Sequence, residues 1–188
     1  MSIQTISNSS PEVDKISTLR RLLDMLEDGR IPLSDTLART LRFAREIDDQ
    51  VLEGWIELET SRLDDPMNLR RYPQEIQRKA WKLFILSRSL PTGTTKRLRE
   101  FLADPKEVKR ALDDDSELVI AEPIGELEAR LSVIKEVGPS SVADYYRQQT
   151  YSRVRNRVHG YLLDIYQDEI RRLNKKQARR KLGFDLPT

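Results

Sequence analysis

Residues 142 to 181 read VADYYRQQTYSRVRNRVHGYLLDIYQDEIRRLNKKQARRK, and this stretch decides the fold class. Val142, Tyr145, Gln149, Val154, Val158, Tyr161, Leu162, Ile165 and Leu173 keep the three- or four-residue spacing of one helical face. Ser140 or Ser141 can cap such a helix at its start. A helix of roughly 40 residues is about 60 Å long at 1.5 Å per residue, more than the diameter of a domain of this size. It must bend, with Gly160 as the expected point, or project from the body. Its charge sets it apart. Residues 147 to 181 hold 11 Lys or Arg against Asp164, Asp168 and Glu169, a balance of 11 − 3 = +8. The whole chain, with 33 basic and 31 acidic residues, nets only +2, so the remainder carries +2 − 8 = −6. Such an asymmetry suits nucleic acid, an anionic surface or an acidic partner at this end.

Upstream, the same periodicity recurs. Ile16, Leu19, Leu22, Leu23 and Leu26 predict a helix over about 12–28, opened by Ser10 as N-cap and Pro11 at the first helical position and stopped at Gly29. Leu33, Leu37, Leu41 and Ala44 predict a second over about 34–47. Asp48 and Asp49 then cap a third around Val51, Leu52, Trp55, Ile56 and Leu58, and the two make an antiparallel hairpin. Gly54 inside that third helix implies a close approach by a neighbour, and Trp55 is expected to pack the pair against the last helix. Pro73 opens a fourth helix, whose many apolar residues from Ile76 to Leu86 predict the most buried helix of the fold. Short helices around Leu98–Leu102 and from Asp104 follow, then a short strand or linker at Leu118–Ile120 and a helix from Pro123 to about Gly138. The expectation is all-α: a single helical-bundle domain of about seven or eight helices with a long basic C-terminal helix and at most one short strand. Residues 1–10 form a flexible N-terminus, 11–170 the helical domain, and 171–188 the basic helix end and tail.

Composition narrows the chemistry. With no Cys in 188 residues, disulfides, thiol catalysis and Cys-based zinc sites are excluded, and the single His159 rules out a His-rich metal site within one chain. No apolar run reaches the roughly 18 residues of a membrane span, and MSIQTISNSSPEV lacks the apolar core of a signal peptide, so a cytoplasmic protein is expected. Phosphate loops, dinucleotide fingerprints, nucleophile elbows and kinase signatures are all missing. The acids Asp113, Asp114 and Asp115 are contiguous rather than alternating around a Gly, which reads as a solvated loop rather than a cation site. The carboxylate pairs Glu57 and Glu59, and Asp164 and Asp168, read as surface residues.

Arg153, with five intervening residues before His159, resembles the short Arg-to-His motif of the HEPN ribonuclease superfamily. That resemblance implies a composite site from two protomers of a homodimer. There His would move a proton at the 2′-hydroxyl or leaving oxygen while Arg neutralises phosphate. Arg155, Asn156 and Arg157 form a polar run that a helix covers only in part, so they join Arg171, Arg172, Lys175, Lys176, Arg179, Arg180 and Lys181 as candidate contacts to a partner or nucleic acid.

A second resemblance covers more of the chain. Residues 31–44, IPLSDTLARTLRFA, continuing through 49–59, DQVLEGWIELE, resemble the N-terminal helical pair of the AbiTii domain, a family associated with bacterial abortive infection against phage. Residues 123–131, PIGELEARL, look like its middle helix. Val154-Arg-Asn-Arg157 with Leu162-Leu163-Asp164 looks like its final one. The blocks keep their order across about residues 15 to 165. The resemblance implies a cytoplasmic sensing or interaction module of phage defence, without cofactor or metal and away from membranes, that uses its basic helix toward a protein partner or nucleic acid. The ribonuclease with Arg153 and His159 and a plain nucleic-acid-binding protein are the alternatives.

Overall fold

The computed structural model describes residues 11–61, 66–88, 122–138 and 142–181. Within them lie six α-helices and one 3-10 turn, packed as a bundle with no strand among the described residues. The helices are α1 (Pro11–Glu27), α2 (Leu33–Glu46), α3 (Gln50–Thr60), α4 (Gln74–Arg88), α5 (Ile124–Val137) and α6 (Val142–Lys181), with the 3-10 turn Pro66–Arg71 between α3 and α4. The short helices expected near residues 98 and 104, the Leu118–Ile120 strand, the Asp113–Asp115 loop and the Ser10, Ser140 and Ser141 caps lie outside the described residues.

Local chemistry fixes the boundaries. Pro11 occupies the first position of α1, where its missing N–H costs nothing. The α2–α3 corner depends on Asp48, which takes a left-handed φ of 56°, and on Asp49, whose carboxylate accepts the Leu52 N–H at 3.0 Å as N-cap of α3. Gly138 ends α5 at φ 82°, a conformation that favours glycine.

Leu19, Leu22 and Leu26 of α1, Leu33 and Leu37 of α2, Trp55 and Ile56 of α3, Phe84 of α4, Leu127 of α5 and Val158 and Leu162 of α6 meet in one core. Its centre is α3, not α4 as the sequence pattern predicts. Seven of the 11 residues of α3 are buried, against six of 15 in α4. The reason is position, since α3 has α2, α4 and α5 around it. Gly54 makes this packing work. A Cβ there would sit 3.3 Å from both Ala80 Cβ and Leu69 Cδ2, so α4 and the 3-10 turn close onto bare backbone, as expected for this glycine. Trp55 reaches the last helix as its position implied, with its ring 6.0 Å from that of Tyr161.

α6 is helical without interruption through Gly160 and packs on α1, α4 and α5. Leu162 is its last fully buried residue, and residues 174–179 are all exposed. The excess length therefore projects.

Candidate nucleic-acid interface

The projecting end of α6 begins where its last acids are used. Glu169 accepts from Lys15 Nζ of α1 at 2.7 Å and pairs with Arg172 at 3.1 Å, while Asp168 pairs with Arg171 at 3.2 Å. No acid follows between 170 and 181. At about 100° per residue, positions 171, 172, 175, 176, 179 and 180 fall within roughly half of the helix circumference. Leu173 and Ile170, both half-buried, fall on the other side. Arg171, Arg172, Lys175, Lys176 and Arg179 are all exposed. The backbone of Arg180 and Lys181 is helical, and their side chains lie outside those described. The result is a rod carrying cations along one exposed arc.

The middle of α6 separates the other candidates. Arg155 turns inward. Its Nη2 donates to Ile31 O at 3.0 Å and to the Tyr151 hydroxyl at 3.1 Å, its Nη1 to Leu26 O and Asp28 O at 3.4 and 3.5 Å, and its guanidinium lies 5.3 Å from the Tyr151 ring centre. It thus holds the end of α1, where the helix dipole leaves carbonyls unsatisfied. Asn156 and Arg157 are exposed and line a groove with Leu83 and Leu86 of α4, as does Arg153, which also donates to Gln149 at 3.3 Å. His159 instead meets Glu27 Oε1 of α1 at 3.0 Å. Six residues apart, Arg153 and His159 point roughly 120° from each other around the helix. Within one chain they do not converge.

The largest departure from the sequence reading is at Glu57 and Glu59, which are buried rather than on the surface. Glu59 and Arg88 both have 0% exposure. Glu59 Oε2 accepts from Arg88 Nη2 at 2.7 Å and Nε at 2.9 Å. Glu59 Oε1 accepts from Trp55 Nε1 at 2.9 Å and Ser87 Oγ at 2.6 Å. Arg88 Nη1 also donates to Glu122 O at 2.6 Å, tying α4 to the start of α5. Glu57 lies nearer the surface, between Arg45 at 3.1 Å, Arg71 and Tyr72. Burial pushes the Tyr72 hydroxyl up to about 12, against the lowering effect of its Arg71 hydrogen bond. A sequence signal for Glu59 exists: it stands four residues after Trp55, within the broad apolar face of the helix. Both Glu59 oxygens are occupied and shut from solvent, so the pair positions helices and has no reach to a substrate. Asp164 and Asp168 are exposed, as expected.

Among the described residues no group of three His, Asp or Glu side chains could hold a metal ion, and no described helix is long and apolar enough to cross a membrane. Comparison with protein-family models, with curated proteins and with solved structures finds no match to the chain.

Proposed function

We propose that the chain is a non-enzymatic AbiTii-like module of bacterial phage defence whose α6 end binds nucleic acid through its phosphates. The observation that carries the binding reading is the acid-free, solvent-exposed arc from Arg171 to Arg179. That arc presents no aromatic or large aliphatic anchor of the kind on which protein interfaces depend, which favours a polyanion over an acidic protein. The defence role rests on the ordered AbiTii-like blocks, and an all-helical bundle is compatible with them.

The test is fluorescence anisotropy of labelled duplex DNA and RNA with the whole protein across a salt series. Affinity is expected to fall steeply as salt rises. Replacing Lys175, Lys176 and Arg179 together by Gln is expected to reduce the slope of log K against log salt by about 2.7, three contacts at about 0.9 each on B-DNA. Binding without salt dependence would transfer the surface to a protein partner. RNA that shortens with the wild type and survives with His159→Ala would replace the module reading by the ribonuclease.

A further inference from the structure

We propose that the cleft between the α1–α2 turn, α5 and the middle of α6 is a binding site for a nucleoside phosphate. The cleft encloses about 630 Å³, within the range of small-ligand pockets. Ile31, Pro32 and Leu131 give it an apolar wall, while Lys135 and Arg155 bring two cations to it.

One carboxylate of the cleft, Glu128, stands with those cations, and the sequence explains where its hydrogen bonds go. Pro32 stands at the N-cap of α2 with no side-chain hydrogen bond to offer, leaving the first N–H groups of the helix without a local acceptor. Glu128 of α5 supplies it. Its oxygens accept from Leu33 N and from Ser34 N at 3.3 and 3.4 Å, from Ser34 Oγ, and from the Tyr151 hydroxyl at 2.8 Å. The one acid of the wall is thereby consumed as a helix cap. Lys135 is exposed and, among the described residues, has neither hydrogen bond nor ion pair. The Arg155 terminal nitrogens are held by carbonyls and a hydroxyl, not by a carboxylate, and its Nε is buried with no acceptor. Arg30, also on the wall, is answered by Asp28 at 3.1 Å. Gln148 and Ser152 add an exposed amide and hydroxyl.

An apolar wall, an exposed Lys135 and an Arg155 that together outnumber the single lining carboxylate Glu128, and neutral donor–acceptor groups match a ligand with a flat, weakly polar body and an anionic end. A bare anion leaves the wall unused, and a neutral heterocycle leaves the cations unused. The site is separate from the α6 end, since Lys175 lies 20 residues beyond Arg155, about 30 Å along the helix.

Isothermal titration of the whole protein with AMP, GMP, CMP and UMP tests this, with adenosine and inorganic phosphate as partial ligands. At least one nucleotide is expected to bind saturably at one per chain, with adenosine and phosphate each about tenfold weaker or more. Lys135→Met is expected to weaken that nucleotide about tenfold, the worth of one charged hydrogen bond, at an unchanged melting temperature. Gln148→Ala, also at an exposed position, gives a second reading if the first variant is poorly folded. Absence of saturable binding, equal binding of phosphate alone, or indifference to both substitutions overturns the proposal. The Gln variant at Lys175, Lys176 and Arg179 is expected to bind the nucleotide as the wild type does. Loss in that variant would put the ligand on the α6 end and overturn the cleft assignment while leaving the nucleic-acid reading intact.

Discussion

At the α3–α4 contact the Arg88 guanidinium is fully buried, 2.7 Å from a fully buried Glu59. At the far end of α6, Arg179 stands in solvent on a segment with no acid from residue 170 to 181. Both regions hold an Arg, and burial together with a paired carboxylate separates them. Removing two charges from water costs several kcal/mol per ion, so a buried pair persists only where its hydrogen bonds are satisfied. Glu59 meets that condition with donors from Trp55, Ser87 and Arg88. On α6 the cations lie at the solvent surface, Arg171 paired with Asp168 and Arg172 with Glu169, and a polyanion bound there would release its counterions. Charge in the interior specifies which helices meet, and charge on the projecting end stays exposed to solvent.

The sharpest way to break this comparison is Glu59→Ala. It strands the Arg88 guanidinium in the core, and a loss of about 3–5 kcal/mol is expected from urea unfolding. Changing both partners to Met is expected to restore much of that loss, because the uncompensated charge disappears along with the pair. If Glu59→Ala unfolds like the wild type, the buried pair has no part in holding α3 to α4.

Next in size is Gly54→Val. Its side chain would enter a space where a single Cβ already lies 3.3 Å from Ala80 and Leu69, and overpacking of this kind costs about 1–3 kcal/mol. Nucleic-acid affinity is expected to persist in whatever fraction stays folded, measured by anisotropy below the unfolding transition. Interior packing and the α6 end would then be shown to act independently.

Glu128→Ala probes the boundary between the two regimes, because this carboxylate is half-buried and caps α2 from another helix. A loss of about 1 kcal/mol is expected in the same unfolding measurement, the usual worth of an N-cap.

How legible the molecule was in its sequence follows the same division. Apolar spacing located α1 to α6; Pro11 and Asp49 act as their positions implied because each is decided by chemistry within a few residues, and Gly54 and Trp55 do so because a bare or bulky position inside an apolar helix already announces a close neighbour. Glu57 and Glu59 were misread because a carboxylate inside an apolar helix looks exposed until its partner is known, and Arg88 lies 29 residues away. Glu128 as cap of α2 is more distant still, 95 residues from Leu33. The exposed basic arc of α6 was legible because its charges and their spacing are all read along one helix. Arg155 was grouped with that arc, and only the path of the α1–α2 turn past α6 shows that its hydrogen bonds go inward.

The smallest effect on folding, and the most telling for function, is expected from replacing Lys175, Lys176 and Arg179 by Gln. Residues 174–179 are all exposed, and helix propensity changes little from Lys or Arg to Gln, so the unfolding midpoint should stay where it is. Nucleic-acid affinity at low salt should fall in the same sample. A shift in midpoint would mean that the α6 end packs onto the body and that its charge belongs to the fold. Unchanged stability with lost binding places the two kinds of charge in two separate roles, because the interior pair then holds the bundle together without any contribution from the arc that meets the polyanion.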